Sequence, residues 1–269
     1  MSDSFRPDRA VRYACAVLAD SQIGRLPVDP FRLAADVGIT LVPLSAIRDN
    51  PNWIPYNMPA ALQMTRAVTL SYPTFCIVYR DEDSTPDQLR HILCHELGHL
   101  FMNHYRDFPD RMEPGAPADN ALEAEADSFA RNLLAPVPVV DVIRFNRPWQ
   151  AKASLFGLDR PAWIHRLDAI DRDRASVDED MANTMLFLFR DYLLARRCTA
   201  CGKTFSDEAQ TDRCPFCGAE GADWVLEPVF CFYTFMASIY RHAASAATAP
   251  SPAAVVSCRT VLLLQSPAT

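Results

Sequence analysis

Two histidines and a glutamate lie on one short stretch of the sequence, where His95, Glu96 and His99 form the pattern H-E-x-x-H. In a helix the two histidines are one turn apart on the same side, so both imidazoles can bind a single metal ion. Glu96 lies about 100° further around the axis, near the ion but not bound to it. This pattern is typical of zinc hydrolases, in which the glutamate is the base toward a water molecule. The alternative is a buried helix with two hydrogen-bonded histidines.

A catalytic zinc ion needs a third protein ligand, and a helix predicted over residues 121–134 offers one. Helical spacing puts Glu123 and Asp127 on one flank of its apolar face, and Glu125 on the other flank with no polar companion. We therefore predict Glu123 as the third ligand and Asp127 as the acceptor of a hydrogen bond from a metal-binding histidine. Two surface acids at helical spacing are the alternative. The predicted buried face consists of Leu122, Ala126, Phe129, Ala130 and Leu133.

The succession of H-E-L-G-H-L, E-x-x-A-D and the run F-A-R-N-L-L-A-P resembles the ImmA/IrrE family of metallo-endopeptidases, over residues 8–175. The resemblance implies an α+β, gluzincin-like zincin protease domain in which a small sheet packs on the H-E-x-x-H helix. It implies that His95, His99 and Glu123 hold a catalytic zinc ion and that Glu96 is the base. Members of the family are associated with cleavage of a helix-turn-helix repressor, which implies such a protein substrate and an antirepressor or stress-response role.

Four residues near the motif have open roles. His91 stands four residues before His95, where the family commonly has an aromatic residue, and Cys94 directly precedes His95. His91 is a candidate for a second metal site or for substrate binding, and Cys94 for sensing oxidation or metal. Simple packing is the commoner role of each residue type. His104 and Tyr105 are candidates for stabilising an oxyanion only because they are near in sequence.

Two C-x-x-C pairs, twelve residues apart, follow the peptidase-like region. Their members are Cys198, Cys201, Cys214 and Cys217. This spacing predicts a zinc ribbon with one structural zinc ion, in which Gly202 and Gly218 permit the tight turns. A redox dithiol pair is the alternative. Acidic residues offset the basic ones nearby, so the sequence favours protein docking or scaffolding over direct nucleic-acid binding.

Several elements are predicted around the motifs. Helices are expected over residues 8–20, from residues 27–30 to about residue 38, from about residue 86 and over 181–197, and strands over 39–44, 67–71 and 75–79. Asn120 is the predicted cap of the second site helix. The predicted organisation is a metallopeptidase domain (1–175), a linker with an apolar helix (176–197), the ribbon (198–228), an apolar segment (229–242) and a low-complexity tail (243–269), with residues 171–180 as a charged, solvated linker.

Composition sets broad limits on these predictions. The 269 residues are 49% apolar and 22% charged with a net charge of −7, which is typical of a globular protein and does not favour general binding of polyanions. No apolar run reaches the roughly 18 residues of a membrane span. The run at residues 13–19 is minimal for a signal peptide, and the scattered cysteines suit a reducing compartment, so we expect a cytoplasmic protein.

Two other functions remain alternatives at this stage. A DNA-associated protease of the SprT type also joins H-E-x-x-H to a zinc ribbon, but it uses a third histidine where this sequence has E-x-x-A-D. A non-enzymatic zinc-binding regulator would sense or sequester a partner. Glu96 argues against that function, because a purely structural zinc site does not need this carboxylate.

Overall fold

The structure is a computed structural model that describes residues 6–47, 66–70, 75–112, 119–146, 153–190, 195–206, 213–214, 216–220 and 224–227. The predicted apolar segment (229–242) and tail (243–269) lie outside these residues. Among the described helices, none combines the length and the apolar character that crossing a bilayer requires.

The N-terminal part of the chain forms two helices and the first strand. Helix α1 (Pro7–Asp20) buries one face. Helix α2 (Pro30–Asp36) is capped by Asp29, whose carboxylate accepts hydrogen bonds from two backbone amides of the first turn. Strand β1 (Thr40–Pro43) and the short helix α3 (Leu44–Ile47) follow. These bounds confirm the two predicted helices and the predicted strand.

A three-stranded sheet is completed by β2 (Ala67–Leu70) and β3 (Cys76–Tyr79) in the order β1-β3-β2. β3 pairs in parallel with β1 and antiparallel with β2, so β2 lies at the edge of the described strands. Alternate residues of β3 face opposite sides of the sheet. Ile77 therefore packs in the main core, whereas Val78 packs in a second, smaller apolar cluster.

The motif helix α4 (Pro86–Phe101) begins where the sequence predicts. Thr85 accepts a hydrogen bond from the amide of Gln88, and the Gln88 side chain accepts one from the amide of Thr85, which completes a capping box. After α4 the chain forms the short helix α5 (His104–Asp107) and one 3-10 turn (Pro109–Arg111).

The second site helix, α6 (Asn120–Leu134), packs along α4. The prediction of Asn120 as its cap is wrong, because the carboxylate of the preceding Asp119 accepts the hydrogen bonds from the Ala121 and Leu122 amides. The five predicted core residues of the helix are all buried. Gly98 allows the two helices to approach closely, since a Cβ there would lie 3.0 Å from Phe129 and 3.3 Å from the Ala126 carbonyl oxygen.

Three further helices extend the same core: α7 (Val137–Asn146), α8 (Arg160–Arg174) and α9 (Glu179–Leu188). α9 packs on α1, and its buried side chains belong to the main apolar cluster. The interpretation of residues 171–180 as a solvated linker is wrong at Asp173, which is fully buried within α8. The prediction of one helix over 181–197 is wrong at its end, because β4 (Ala195–Cys198) is a strand.

A second three-stranded sheet includes Cys198, the first of the paired cysteines. β4 pairs antiparallel with both β5 (Thr204–Ser206) and β6 (Trp224–Glu227), in the order β5-β4-β6. Gly202 and Gly218 have φ values of 69° and 77°, which permit the tight turn that follows each C-x-x-C pair. The predicted role of these two glycines in the turns is therefore confirmed.

Candidate metal centre

Two imidazole nitrogens and one carboxylate converge between α4 and α6. His99 Nε2 lies 3.1 Å from His95 Nε2, and two oxygens of Glu123 lie 3.2 Å from His95 Nε2 and 3.6 Å from His99 Nε2. Tetrahedral zinc with ligand distances of about 2.0–2.1 Å separates its ligands by about 3.3–3.4 Å. The three side chains therefore fit a zinc ion in both donor type and spacing, and they form a candidate metal-binding group.

Carboxylates on one side of the group orient His95. Asp127 Oδ1 lies 2.8 Å from His95 Nδ1, so the ring has its other nitrogen toward Glu123 and His99. Burial lowers the pKa of His95, but the hydrogen bonds with Asp127 and Glu123 outweigh this and raise it to about 10. The same negative environment favours a metal cation between these side chains.

His99 is held from a different direction. Its Nδ1 lies 2.9 Å from Nδ1 of His104, and Nε2 of His104 lies 3.3 Å from Glu125 Oε2. The interpretation of Glu125 as lacking a polar companion is wrong, because Arg6 and Arg9 of the N-terminal region also bond to its carboxylate, each at 3.1 Å. His104 is fully buried in this contact, which removes it as a candidate for stabilising an oxyanion.

Glu96 is fixed by a residue that sequence reasoning missed. Thr69 of the edge strand β2 donates a hydrogen bond to Glu96 Oε2 at 2.6 Å. Tyr105 is also hydrogen-bonded to Thr69, and burial raises the pKa of its phenol well above the usual range, so it remains protonated. The ring of Tyr105 lies beside that of His99, with 6.3 Å between centroids. Tyr105 therefore borders the metal group, whereas His104 lies behind it.

The four paired cysteines form a separate group. Sγ of Cys198 lies 3.7 Å from that of Cys217, and Sγ of Cys201 lies 3.8 Å from that of Cys214. All four sulfur atoms lie within 4.8 Å of one another. A tetrahedral zinc ion at about 2.3 Å from each sulfur separates the sulfurs by about 3.8 Å. The cluster thus fits a metal ion held by four thiolates, with every position taken by protein.

Cys94 and His91 lie near the motif but do not belong to the metal-binding group. Cys94 is fully buried, and burial raises the pKa of its thiol far above the usual value, so the thiol stays protonated and packs in the core. His91 lines a cavity of about 600 Å³ that also includes Asp127. Among the described residues, no metal-binding group contains His91.

Comparison with protein families identifies the region that carries this centre. Residues 56–167 match the family described as the IrrE N-terminal-like domain, a peptidase family. This part of the chain, less than half of the 269 residues, is similar to the IrrE N-terminal-like domain. The match confirms the predicted ImmA/IrrE resemblance over a shorter range than residues 8–175. It includes α4 and α6 and therefore the group of His95, His99 and Glu123, which is called the histidine centre below. The cysteine cluster lies outside the IrrE-like domain.

Comparisons with curated proteins and with solved structures gave no match to this chain. The match at residues 56–167 supports a metallopeptidase of the ImmA/IrrE family.

Proposed function

We propose that the protein is a zinc-dependent endopeptidase in which His95, His99 and Glu123 hold the metal. The observation that carries this proposal is the convergence of their ligand atoms at tetrahedral spacing. Three protein ligands are typical of catalytic zinc, because the fourth position is used by water or substrate. The IrrE N-terminal-like match supports hydrolysis of a peptide bond as the reaction.

Glu96 is the proposed base. Zinc, when bound, supplies a Lewis acid that polarises the scissile carbonyl and makes the attacking water more acidic. Thr69 holds Oε2 of Glu96 by a hydrogen bond. The Glu96 carboxylate accepts the proton of the water and later returns it to the leaving amine. Burial raises the pKa of Glu96 above its ordinary value, which makes its carboxylate a stronger base.

A cavity adjoins Asp127, although none of the three proposed metal ligands lines it. The 600 Å³ cavity is lined by residues of α4, α6 and α8. An extended peptide that adds to the sheet at β2 would run past Glu96, because Thr69 of that strand bonds to it. Following the ImmA/IrrE resemblance, we propose a regulatory protein of the helix-turn-helix repressor type as substrate.

The proposal is tested by comparing protein N-termini in cells that express the wild type or Glu96→Gln. We expect a small set of new N-termini only with the wild type, including one within a transcriptional repressor. A wild-type protein that holds zinc at the histidine centre but generates no new N-terminus would instead favour a non-enzymatic zinc-binding regulator.

Replacement of Thr69 by valine is expected to lower kcat/KM by about 10- to 100-fold, since a hydrogen bond to a charged group contributes about 1.5–3 kcal/mol. Valine keeps the branched shape that suits strand β2 but cannot donate a hydrogen bond to Glu96. Thr69→Ser retains the hydroxyl and is the matched control. Steady-state kinetics on the identified substrate measure both variants, and equal loss in the two would show that the hydroxyl is not what matters.

We also propose that the four-cysteine cluster is a zinc ribbon with a structural zinc ion. The wild type is then expected to hold two zinc ions and Cys198→Ser only one, because three thiolates no longer close the tetrahedron. Elemental analysis of the purified proteins measures this ratio. Cys76→Ser, at a half-buried cysteine outside both groups, should retain two zinc ions. Disulfides in place of the metal would instead support the redox dithiol alternative.

A further inference from the structure

A line of buried polar side chains leads away from the metal group. It runs from His99 through His104 to Glu125, with Nδ1–Nδ1 and Nε2–Oε2 distances of 2.9 and 3.3 Å. The side chains of the three residues are 3%, 0% and 2% exposed. Because solvent hardly reaches them, each polar atom in the line depends on its protein neighbour for a hydrogen bond.

The charge at the far end of the line decides where the protons are. Arg6 and Arg9 bond to the two oxygens of Glu125, which favours its carboxylate form. A carboxylate only accepts hydrogen bonds, so His104 donates to it from Nε2. When His104 carries a single proton, its lone pair is on Nδ1, which then accepts a hydrogen bond from Nδ1–H of His99. His99 is left with its lone pair on Nε2.

Nε2 is the atom of His99 that faces the other two ligands, at 3.1 Å from His95 Nε2 and 3.6 Å from Glu123 Oε1. A histidine binds a metal through the nitrogen that carries no proton. If His104 had its proton on Nδ1, it would donate to His99 and place the His99 proton on Nε2, where it would block the metal. The order of donors along the line therefore matters for metal binding.

We propose that His104 and Glu125 are positioning residues that fix the tautomer and ring orientation of His99 for metal binding. The inference rests on the proposed role of His99 as a zinc ligand. Asp127 serves His95 from α6 in a comparable way, so each histidine ligand has its own support. The support of His99 extends to α1, because Arg9 of that helix bonds to both Glu125 and the Met102 carbonyl oxygen.

Two substitutions at one position separate the hydrogen bonds from the packing. In His104→Asn, Oδ1 takes the place of the histidine Nδ1, so the acceptor for His99 is kept and the donor to Glu125 is lost. In His104→Gln, Nε2 takes the place of the histidine Nε2, so the donor is kept and the acceptor for His99 is lost. If His104 only fills space, asparagine should be the worse replacement, because it leaves the larger cavity.

The affinity of the histidine centre is measured by competition with a chelator, with cobalt(II) in place of zinc so that absorption distinguishes the nitrogen and oxygen ligands from the thiolates. We expect His104→Gln to weaken binding by about 10- to 100-fold and His104→Asn to stay close to the wild type. NMR of isotope-labelled histidines in the zinc-loaded wild type, which needs no variant, should show the proton of His104 on Nε2.

Equal affinities in the wild type and the two variants, or a greater loss in His104→Asn, would overturn the proposed role of His104 and Glu125 and leave the proposed function intact. A proton on Nδ1 of His104 would overturn it as well. A wild type that binds no metal at His95 and His99 would overturn the proposed function together with the role of His104 and Glu125. Failure of the proposed function is therefore distinguishable from failure of this inference alone.

Discussion

Glu96→Gln is expected to lower cleavage strongly while zinc remains bound. The substituted side chain keeps the size of glutamate, and its oxygen can still accept the hydrogen bond from Thr69. It cannot accept a proton, and general base catalysis contributes about 100- to 10,000-fold to rate, so kcat should fall by that factor. Turnover of the substrate found by N-terminal analysis and the zinc content of the same sample measure the two effects together.

The matched control is Glu123→Gln, which makes the same chemical change at the carboxylate that adjoins both histidines. This variant should lose zinc and cleavage together, because a neutral amide is a poor ligand for zinc. Loss of zinc in Glu96→Gln would indicate that Glu96 is a ligand. Full turnover in Glu96→Gln would show that another group is the base.

The grouping of the metal centre could be predicted because helical periodicity fixes which side chains share a face. His95 and His99 are one turn apart on α4, and Glu123 and Asp127 are one turn apart on α6. The fold then has only to bring these two helix faces together. The apolar face of α6, which packs in the core, determines how that helix is rotated about its axis. The distance between the helices depends on Gly98, which the zinc motif itself does not require to be glycine.

The supports of the centre could not be predicted, because their partners are distant in sequence. Thr69 precedes Glu96 by 27 residues and lies on a strand of four residues. Arg6 and Arg9 precede Glu125 by 119 and 116 residues. Helical spacing places a side chain on its own helix, but it contains no information about what another element brings to it. Glu125 therefore looked isolated although three side chains contact it.

The strand β4 illustrates the same limit for the fold. Residues 181–197 contain an apolar run that favours a helix, and this is correct as far as Leu188. Ala195–Cys198 nevertheless forms a strand, since it pairs on both sides with β5 and β6. Strand preference depends strongly on such pairing, which is supplied here by segments that follow later in the chain. The cysteine spacing alone indicated the turns but not the sheet.

Charge patterning was misleading at Asp173. The surrounding run is rich in acids and arginines, which ordinarily indicates a solvated face. Asp173 Oδ2 instead accepts hydrogen bonds from Arg166 at 2.7 Å and from Asn132 at 2.9 Å, and all three side chains are buried. Because Asn132 belongs to α6, this buried network fastens the helix of Glu123 and Asp127 to α8.

Asp173→Ala is expected to lower the free energy of unfolding by about 3–5 kcal/mol, the usual cost of removing one partner of a buried ion pair. Arg166 would remain as a fully buried cation without its carboxylate, and burial already lowers the pKa of its guanidinium to about 10. Urea denaturation of the wild type and the variant measures the difference. Asp168→Ala, at an exposed carboxylate of the same helix, is the matched control and should change stability little.

The cause of that loss is tested by removing both charges. In the double variant Asp173→Leu with Arg166→Met, no unpaired charge is buried, and such replacements are often neutral or stabilising. The double variant should therefore be more stable than Asp173→Ala, with some loss remaining because Asn132 also bonds to Arg166. A double variant as unstable as the single one would show that the hydrogen bonds to Asn132, rather than the unpaired charge, hold α6 against α8.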